Sequence, residues 1–143
     1  MPSLDQIRAF FQKDRYAMNS GIEILSAEDG RAVCRMPITP EHLNAGGVAQ
    51  GGAVFTLADF CFAVASNACG ELVVSLNNQI SFIRPATGAY LTATARPVSA
   101  GRSAVFYQVD VADDRERLVA QMTVTGYPKH TPLAMGESAE AAR

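Results

Sequence analysis

The sequence predicts an α+β domain in which a curved antiparallel sheet of five to six strands wraps around one long helix. Residues from about 50 to 68 have a helical pattern, yet apolar side chains cover nearly the whole circumference, which is typical of a helix buried on all sides. The segments after this helix alternate between apolar and polar residues and are separated by turn signals, as in an antiparallel meander. A sheet that buries such a helix must curl around it.

The 143 residues, 48% of them hydrophobic, suit one compact domain, predicted over residues 1–130. A helix is predicted at about 3–18, because Ser3 and Gln6 have the spacing of a capping box and apolar residues follow at helical spacing. Asp29-Gly30 predicts a hairpin between the first two strands. The strands are expected at 22–27, 32–38, 73–83, 90–98, 103–111 and 118–127, the central helix at about 50–68, and a flexible tail at 131–143.

Composition excludes several classes of function. A net charge of −2 provides no field for binding nucleic acid through its phosphates. The most apolar stretch, Ala53 to Ala65, is too short to cross a bilayer. Three cysteines without a CxxC pair, and a charged N-terminal segment, favour a reduced cytoplasmic location. Only 18% of the residues are charged, which indicates that some surface is buried against a second copy.

Two motifs carry a family resemblance. The first is Asn44, followed by Gly51-Gly52 and then by Leu57-Ala58-Asp59 within the central helix. The second is a strand that begins at Ser75 and ends in Phe82-Ile83-Arg84-Pro85. Over roughly residues 22–127 the chain resembles the hotdog-fold acyl-CoA thioesterases of the PaaI type.

The resemblance implies that the chain hydrolyses an acyl- or aryl-CoA thioester, as a homodimer or homotetramer with sites at the subunit interface. It implies no cofactor, because coenzyme A is part of the substrate. By resemblance Asp59 is the nucleophile or the general base, and Gly51 donates its backbone N–H to the oxyanion. Asn44 holds the loop or the carbonyl, and Ser75 orients water beside Asp59.

Gln50 departs from the family pattern, which usually has histidine at this position. Glutamine can donate a hydrogen bond to a thioester oxygen but cannot carry a proton. It therefore replaces a histidine that polarises, but not one that shuttles protons. The alternative is a residue at the helix start that points to solvent.

Elementary chemistry supports these roles but leaves alternatives. Asp59 lies among apolar residues, where desolvation should raise its pKa; it could instead be a structural aspartate bonded to backbone groups. Gly51 begins a helix, where N–H groups lack internal partners, but a glycine pair also simply turns the chain. Asn44 could form an Asx turn, and Ser75 could bond a neighbouring strand.

Gly51 and Asp59 should be about 12 Å apart along one helix, too far for both to reach one thioester carbon. We therefore expect Gly51 and Gln50 of one subunit to act with Asp59 and Ser75 of another.

Arg84 and Arg102 are candidates for binding the phosphates of coenzyme A. The two histidines, His42 and His130, have no metal-ligand spacing, so no metal site is predicted. Two alternatives to hydrolysis stay open. The first is a module that binds acyl-CoA without catalysis. The second is an acyl-thioester dehydratase or hydratase, whose chemistry needs a histidine that the motif lacks.

Overall fold

The computed structural model describes residues 1–135. Two short helices begin the chain, α1 at Leu4–Phe11 and α2 at Arg15–Asn19. The Ser3–Gln6 capping box is present, with both reciprocal hydrogen bonds formed. The single helix predicted at 3–18 is wrong, because Asp14 begins a second helix by accepting a hydrogen bond from the Ala17 N–H.

Six antiparallel strands form one sheet in the order β1-β2-β4-β5-β6-β3. The strands β4, β5 and β6 are the predicted meander, and β2 pairs with β4. The strand β3 pairs with β6, so it lies at the edge of the sheet although it precedes β4 in the chain. Their bounds are β1 Glu23–Glu28, β2 Arg31–Pro37, β3 Glu71–Phe82, β4 Tyr90–Ala100, β5 Val105–Asp113 and β6 Leu118–Pro132.

The central helix α3 spans Gly51–Asn67 and lies against the concave face of the sheet. Ten of its residues are buried, as expected for a helix that is apolar all round. Asp59 is the one residue of Asp, Glu, Lys or Arg type in α3. The helix ends before Gly70, whose φ of 94° favours glycine.

The C-terminal prediction needs correction where the structure describes it. Thr131 and Pro132 complete β6, the Leu133 N–H donates to the Gly70 carbonyl, and Met135 packs against the core. The predicted flexible tail therefore does not begin at residue 131, and its part from 136 to 143 lies outside the described residues. Within 1–135, no helix is long and apolar enough to cross a membrane.

Candidate active site

The start of α3 leaves one backbone donor unpaired. Gln50 is the N-cap, and its carbonyl accepts from the Ala53 and Val54 N–H groups, while its side-chain Oε1 accepts from the Gly52 N–H at 3.0 Å. Within residues 1–135, only the N–H of Gly51 among these first four helix donors has no hydrogen bond. It lies at the positive end of the helix dipole, which suits the binding of a developing oxyanion.

Gly51 leaves little room for a side chain. A Cβ built at this position would lie 3.2 Å from Cζ of Phe82, at the end of β3. Beside Gly51 is a cleft of about 320 Å³ whose walls include Phe82, Ile83 and Arg84. A thioester carbonyl can approach the Gly51 N–H from this cleft, because glycine presents only backbone there.

Gln50 and Asn44 border a different cleft, of about 500 Å³, between α2 and the glycine-rich loop. The Asn44 side chain accepts from the Gly46 and Val48 N–H groups at 2.9 and 3.2 Å, so it organises the loop as an Asx turn. Because the Gly52 N–H occupies Gln50 Oε1, the Nε2 group is the part of that amide left to donate.

Asp59 is half-buried on the side of α3 that faces β3. Desolvation raises its pKa, the hydrogen bond from Asn78 lowers it, and the nearby carboxylate of Asp14 raises it again; the net change is upward. The alternative of a carboxylate satisfied by backbone groups is not what the structure has, because its partner is the Asn78 side chain at 2.9 Å.

The role predicted for Ser75, to orient water beside Asp59, stays a prediction. Ser75 pairs with Gly126, three residues along β3 from the residue that contacts Asp59, and its hydroxyl makes no hydrogen bond within residues 1–135. The residue of β3 that contacts Asp59 directly is Asn78, which sequence reasoning missed. The alternation of β3 could have indicated an inward side chain there, but the bulge between Ser75 and Asn77 shifts the register.

Contacts along β3 give a second value for the distance between Gly51 and Asp59. Gly51 lies against Phe82, and Asp59 contacts Asn78, four residues back along the same strand. Four strand residues span about 13 Å, in agreement with about 12 Å for eight helix residues. Neither of the two clefts at the helix start is lined by Asp59.

The two arginines predicted to bind phosphates lie at opposite ends of the sheet. Arg84 follows β3 beside the Gly51 cleft and donates to the Leu118 carbonyl at 3.1 Å. Arg102 lies in the turn between β4 and β5, and its carbonyl contacts the His130 ring. The nine residues of β5 separate these ends by about 30 Å, so both cannot hold one phosphate within a single chain.

The part of the chain that the structure describes contains no cluster of three or more His, Cys, Asp or Glu side chains able to hold a metal ion. His42 has both ring nitrogens engaged, one with the Thr39 N–H and the other with the Ser20 carbonyl. It fixes the glycine-rich loop against the end of α2.

Comparison with known proteins decides the family. The thioesterase superfamily matches residues 46–120, which include both the start of α3 and Asp59. The chain belongs to this superfamily. It is a thioester hydrolase. Acyl-coenzyme A thioesterase PaaI of Escherichia coli is 35% identical over 113 residues, which cover 78% of this chain and 81% of that protein.

Human acyl-coenzyme A thioesterase 13 is 32% identical over 104 residues, which cover 70% of this chain and 74% of that protein. The solved structure of E. coli PaaI superposes with a TM-score of 0.86 at 30% identity, covering 91% of this chain and 95% of that one. A thioesterase protein of Streptococcus pneumoniae, solved with coenzyme A, gives a TM-score of 0.79 at 25% identity and covers 85% and 98% of the two chains. The predicted hotdog fold and PaaI resemblance are confirmed.

Proposed function

We propose that the chain hydrolyses acyl- or aryl-CoA thioesters to the free acid and coenzyme A. This proposal depends on the presence of two groups on α3: the unpaired Gly51 N–H at its start and the half-buried Asp59 carboxylate in its middle. Coenzyme A as the carrier is supported by the names of the two relatives and by the coenzyme bound in the S. pneumoniae protein.

In the proposed reaction the thioester carbonyl lies with its oxygen at the Gly51 N–H. Asp59 either attacks the carbonyl carbon or removes a proton from the water that does so. The Gly51 N–H stabilises the oxyanion as the carbon becomes tetrahedral, and Gln50 Nε2 is the candidate second donor. The carbon–sulfur bond then breaks, and the thiolate of coenzyme A leaves and takes up a proton. If Asp59 attacked directly, water then hydrolyses the resulting anhydride.

A single chain cannot bring these groups together, because Gly51 and Asp59 are about 12 Å apart. We therefore infer a homodimer in which Gly51 faces Asp59 of the partner subunit. Antiparallel pairing of two β3 strands achieves this when Asn78 of one copy lies beside Phe82 of the other. The two-fold axis then crosses β3 at Ile80, the midpoint of that pair.

The two edges of the sheet differ in a way that supports this pairing. At the β1 edge, the Arg8 guanidinium donates twice to the Ile24 carbonyl, at 3.0 and 2.8 Å, which blocks the addition of another strand there. On β3, Asn67 caps both backbone groups of Val73, but no described side chain caps the backbone of 74–82. Large apolar side chains are exposed along the same edge: Leu76 66%, Phe82 55% and Ile83 51%.

The register can be tested by cross-linking. With the axis at Ile80, Gln79 of one copy lies opposite Ser81 of the other. In a Cys69→Ser background, the double variant Gln79→Cys/Ser81→Cys should form a disulfide-linked dimer on mild oxidation, because the facing Cα atoms lie about 5 Å apart. Each single variant places its two cysteines about 8 Å apart and should form far less. A monomeric mass by light scattering, or equal cross-linking of the single variants, would refute this arrangement.

The function itself is tested with a panel of acyl- and aryl-CoA substrates, measuring thiol release. Release with at least one substrate, lost in Asp59→Asn, is the expected result. Binding of acyl-CoA by calorimetry without thiol release would replace the proposal with a non-catalytic binding module. Loss of water from a 3-hydroxyacyl-CoA, followed by absorbance of the enoyl product, would indicate a dehydratase.

A further inference from the structure

Asn78 of β3 is the residue whose side chain donates a hydrogen bond to Asp59. Its Nδ2 group lies 2.9 Å from Asp59 Oδ1 and 3.8 Å from the sulfur of Met122, which is fully buried. A carboxylate and a thioether are both acceptors, so the NH₂ end of the amide must face them. The backbone of Asn78 is fixed by pairing with Val124 of β6.

The two oxygens of the Asp59 carboxylate are therefore not equivalent. Oδ1 accepts from Asn78, whereas Oδ2 has no hydrogen-bond partner within residues 1–135. No side-chain oxygen or nitrogen in that part of the chain is both fully buried and unpaired, so Oδ2 remains accessible. The free oxygen is the one able to meet a substrate or a water molecule.

We propose that Asn78 is a positioning residue that holds Oδ1 of Asp59 and so makes Oδ2 the oxygen that acts on the thioester or on the attacking water. This proposal rests on the proposed thioesterase function. An amide donor on one oxygen fixes the rotation of the carboxylate, which a reaction needs because small misplacements of a reacting group are costly. It also favours the ionised form, which alone can attack or accept a proton.

The other groups around Asp59 oppose ionisation or are neutral. Burial and the Asp14 carboxylate at the start of α2 raise the pKa of Asp59, whereas the hydrogen bond from Asn78 lowers it. The buried titratable side chains on the strands packed against α3 are Cys34 of β2, Tyr107 of β5 and Asp113 at the end of β5, which pairs with Arg117. The hydrogen bond with Cys61 and burial raise the pKa of Cys34, and burial and the nearby Cys69 raise the pKa of Tyr107, so these two groups are uncharged at neutral pH.

Asn78→Leu removes the donor while nearly keeping the volume. Asn77→Leu is the matched control, because Asn77 is the preceding residue, pairs with Thr125 and is exposed. In Asn78→Leu the acidic limb of kcat/KM should move up by about one pH unit, the value expected for loss of a hydrogen bond to a charged group. The plateau at high pH should fall about tenfold because the carboxylate is less well oriented. Asn77→Leu should change neither.

Two further variants separate positioning from folding. Asn78→Ser is too short to reach Asp59 and should give the same shift of the limb. Asn78→Gln keeps an amide donor one methylene further out and should recover part of the plateau. If the acidic limb of kcat/KM stays at the wild-type pH in both Asn78→Leu and Asn78→Ser, the proposal is overturned.

A readout independent of activity completes the test. With ¹³C-labelled aspartate, the Asp59 carboxyl resonance is assigned by its absence in Asp59→Asn and followed by NMR across the pH range. Its midpoint should rise by about one unit in Asn78→Leu. An unchanged midpoint counts against the role of Asn78. Absence of thiol release by the wild type counts against the thioesterase function alone, because the NMR titration does not depend on turnover.

Discussion

Mixed dimers of two inactive variants distinguish a site shared between subunits from one contained in a single chain. Asp59→Asn removes the reacting carboxylate. Gly51→Pro removes the unpaired N–H at the first helical position, which tolerates proline. The residue before it, Gln50, already has φ −63° and ψ 142°, a conformation compatible with a following proline.

The magnitude follows from counting sites. If each site joins Gly51 of one copy to Asp59 of the other, a heterodimer has one site with both lesions and one wild-type site, so it has half of the wild-type activity. Random co-assembly makes half of the dimers mixed, and the mixture should recover about a quarter of wild-type activity. A site within one chain gives none, because each chain carries a lesion.

The assay is thiol release by heterodimers purified with two different affinity tags. Gly51→Ala serves as the control for crowding, because it adds a Cβ against the Phe82 ring at 3.2 Å but keeps the N–H. It should retain far more activity than Gly51→Pro. Correctly assembled heterodimers without activity would show that Gly51 and Asp59 act in the same chain.

Three other predictions concern single residues. Asp59→Asn should lower kcat about a thousandfold. Because burial raises the pKa of Asp59, the wild type loses the stability contributed by this group as the pH rises through that pKa. The melting temperature of Asp59→Asn relative to that of the wild type should therefore be higher at pH 8 than at pH 4. Gln50→Ala should cost about 2 kcal/mol of transition-state stabilisation, measured by kcat/KM, and Gln50→His should retain or raise activity. Gln50→Ser keeps a cap for the Gly52 N–H, so it should lose activity like Gln50→Ala but unfold at a higher temperature. An unchanged kcat/KM in Gln50→Ala would mean that the residue is only structural. Arg84→Ala should raise KM about tenfold for acyl-CoA but not for an acyl-pantetheine, which lacks the nucleotide phosphates, whereas Arg102→Ala should leave KM unchanged for both. Equal effects of the two variants would contradict a phosphate-binding role for Arg84.

The helices and strands could be predicted from sequence because each depends on a local pattern. Apolar residues around the whole circumference marked α3 as buried, and α3 begins and ends within one residue of its predicted bounds. The capping box at Ser3 and the turn at Asp29-Gly30 follow from side-chain chemistry within four residues. The predicted N-terminal helix is too long because an aspartate such as Asp14 can either cap a new helix or continue the preceding one. Residue spacing alone does not distinguish these two possibilities.

The candidate site divides in the same way. Asp59 and Gly51 could be chosen from the sequence because the chemistry of a mid-helix carboxylate and of a helix start is local to α3. The contact of Asn78 with Asp59 could not, because it joins residues 19 apart across a helix and a strand whose register is shifted by a bulge. Likewise only the pairing of β3 with β6 places β3 at an edge, and only the sheet order places Arg84 and Arg102 at opposite ends. Local patterns determine which elements form, whereas the packing of distant elements decides which side chains meet.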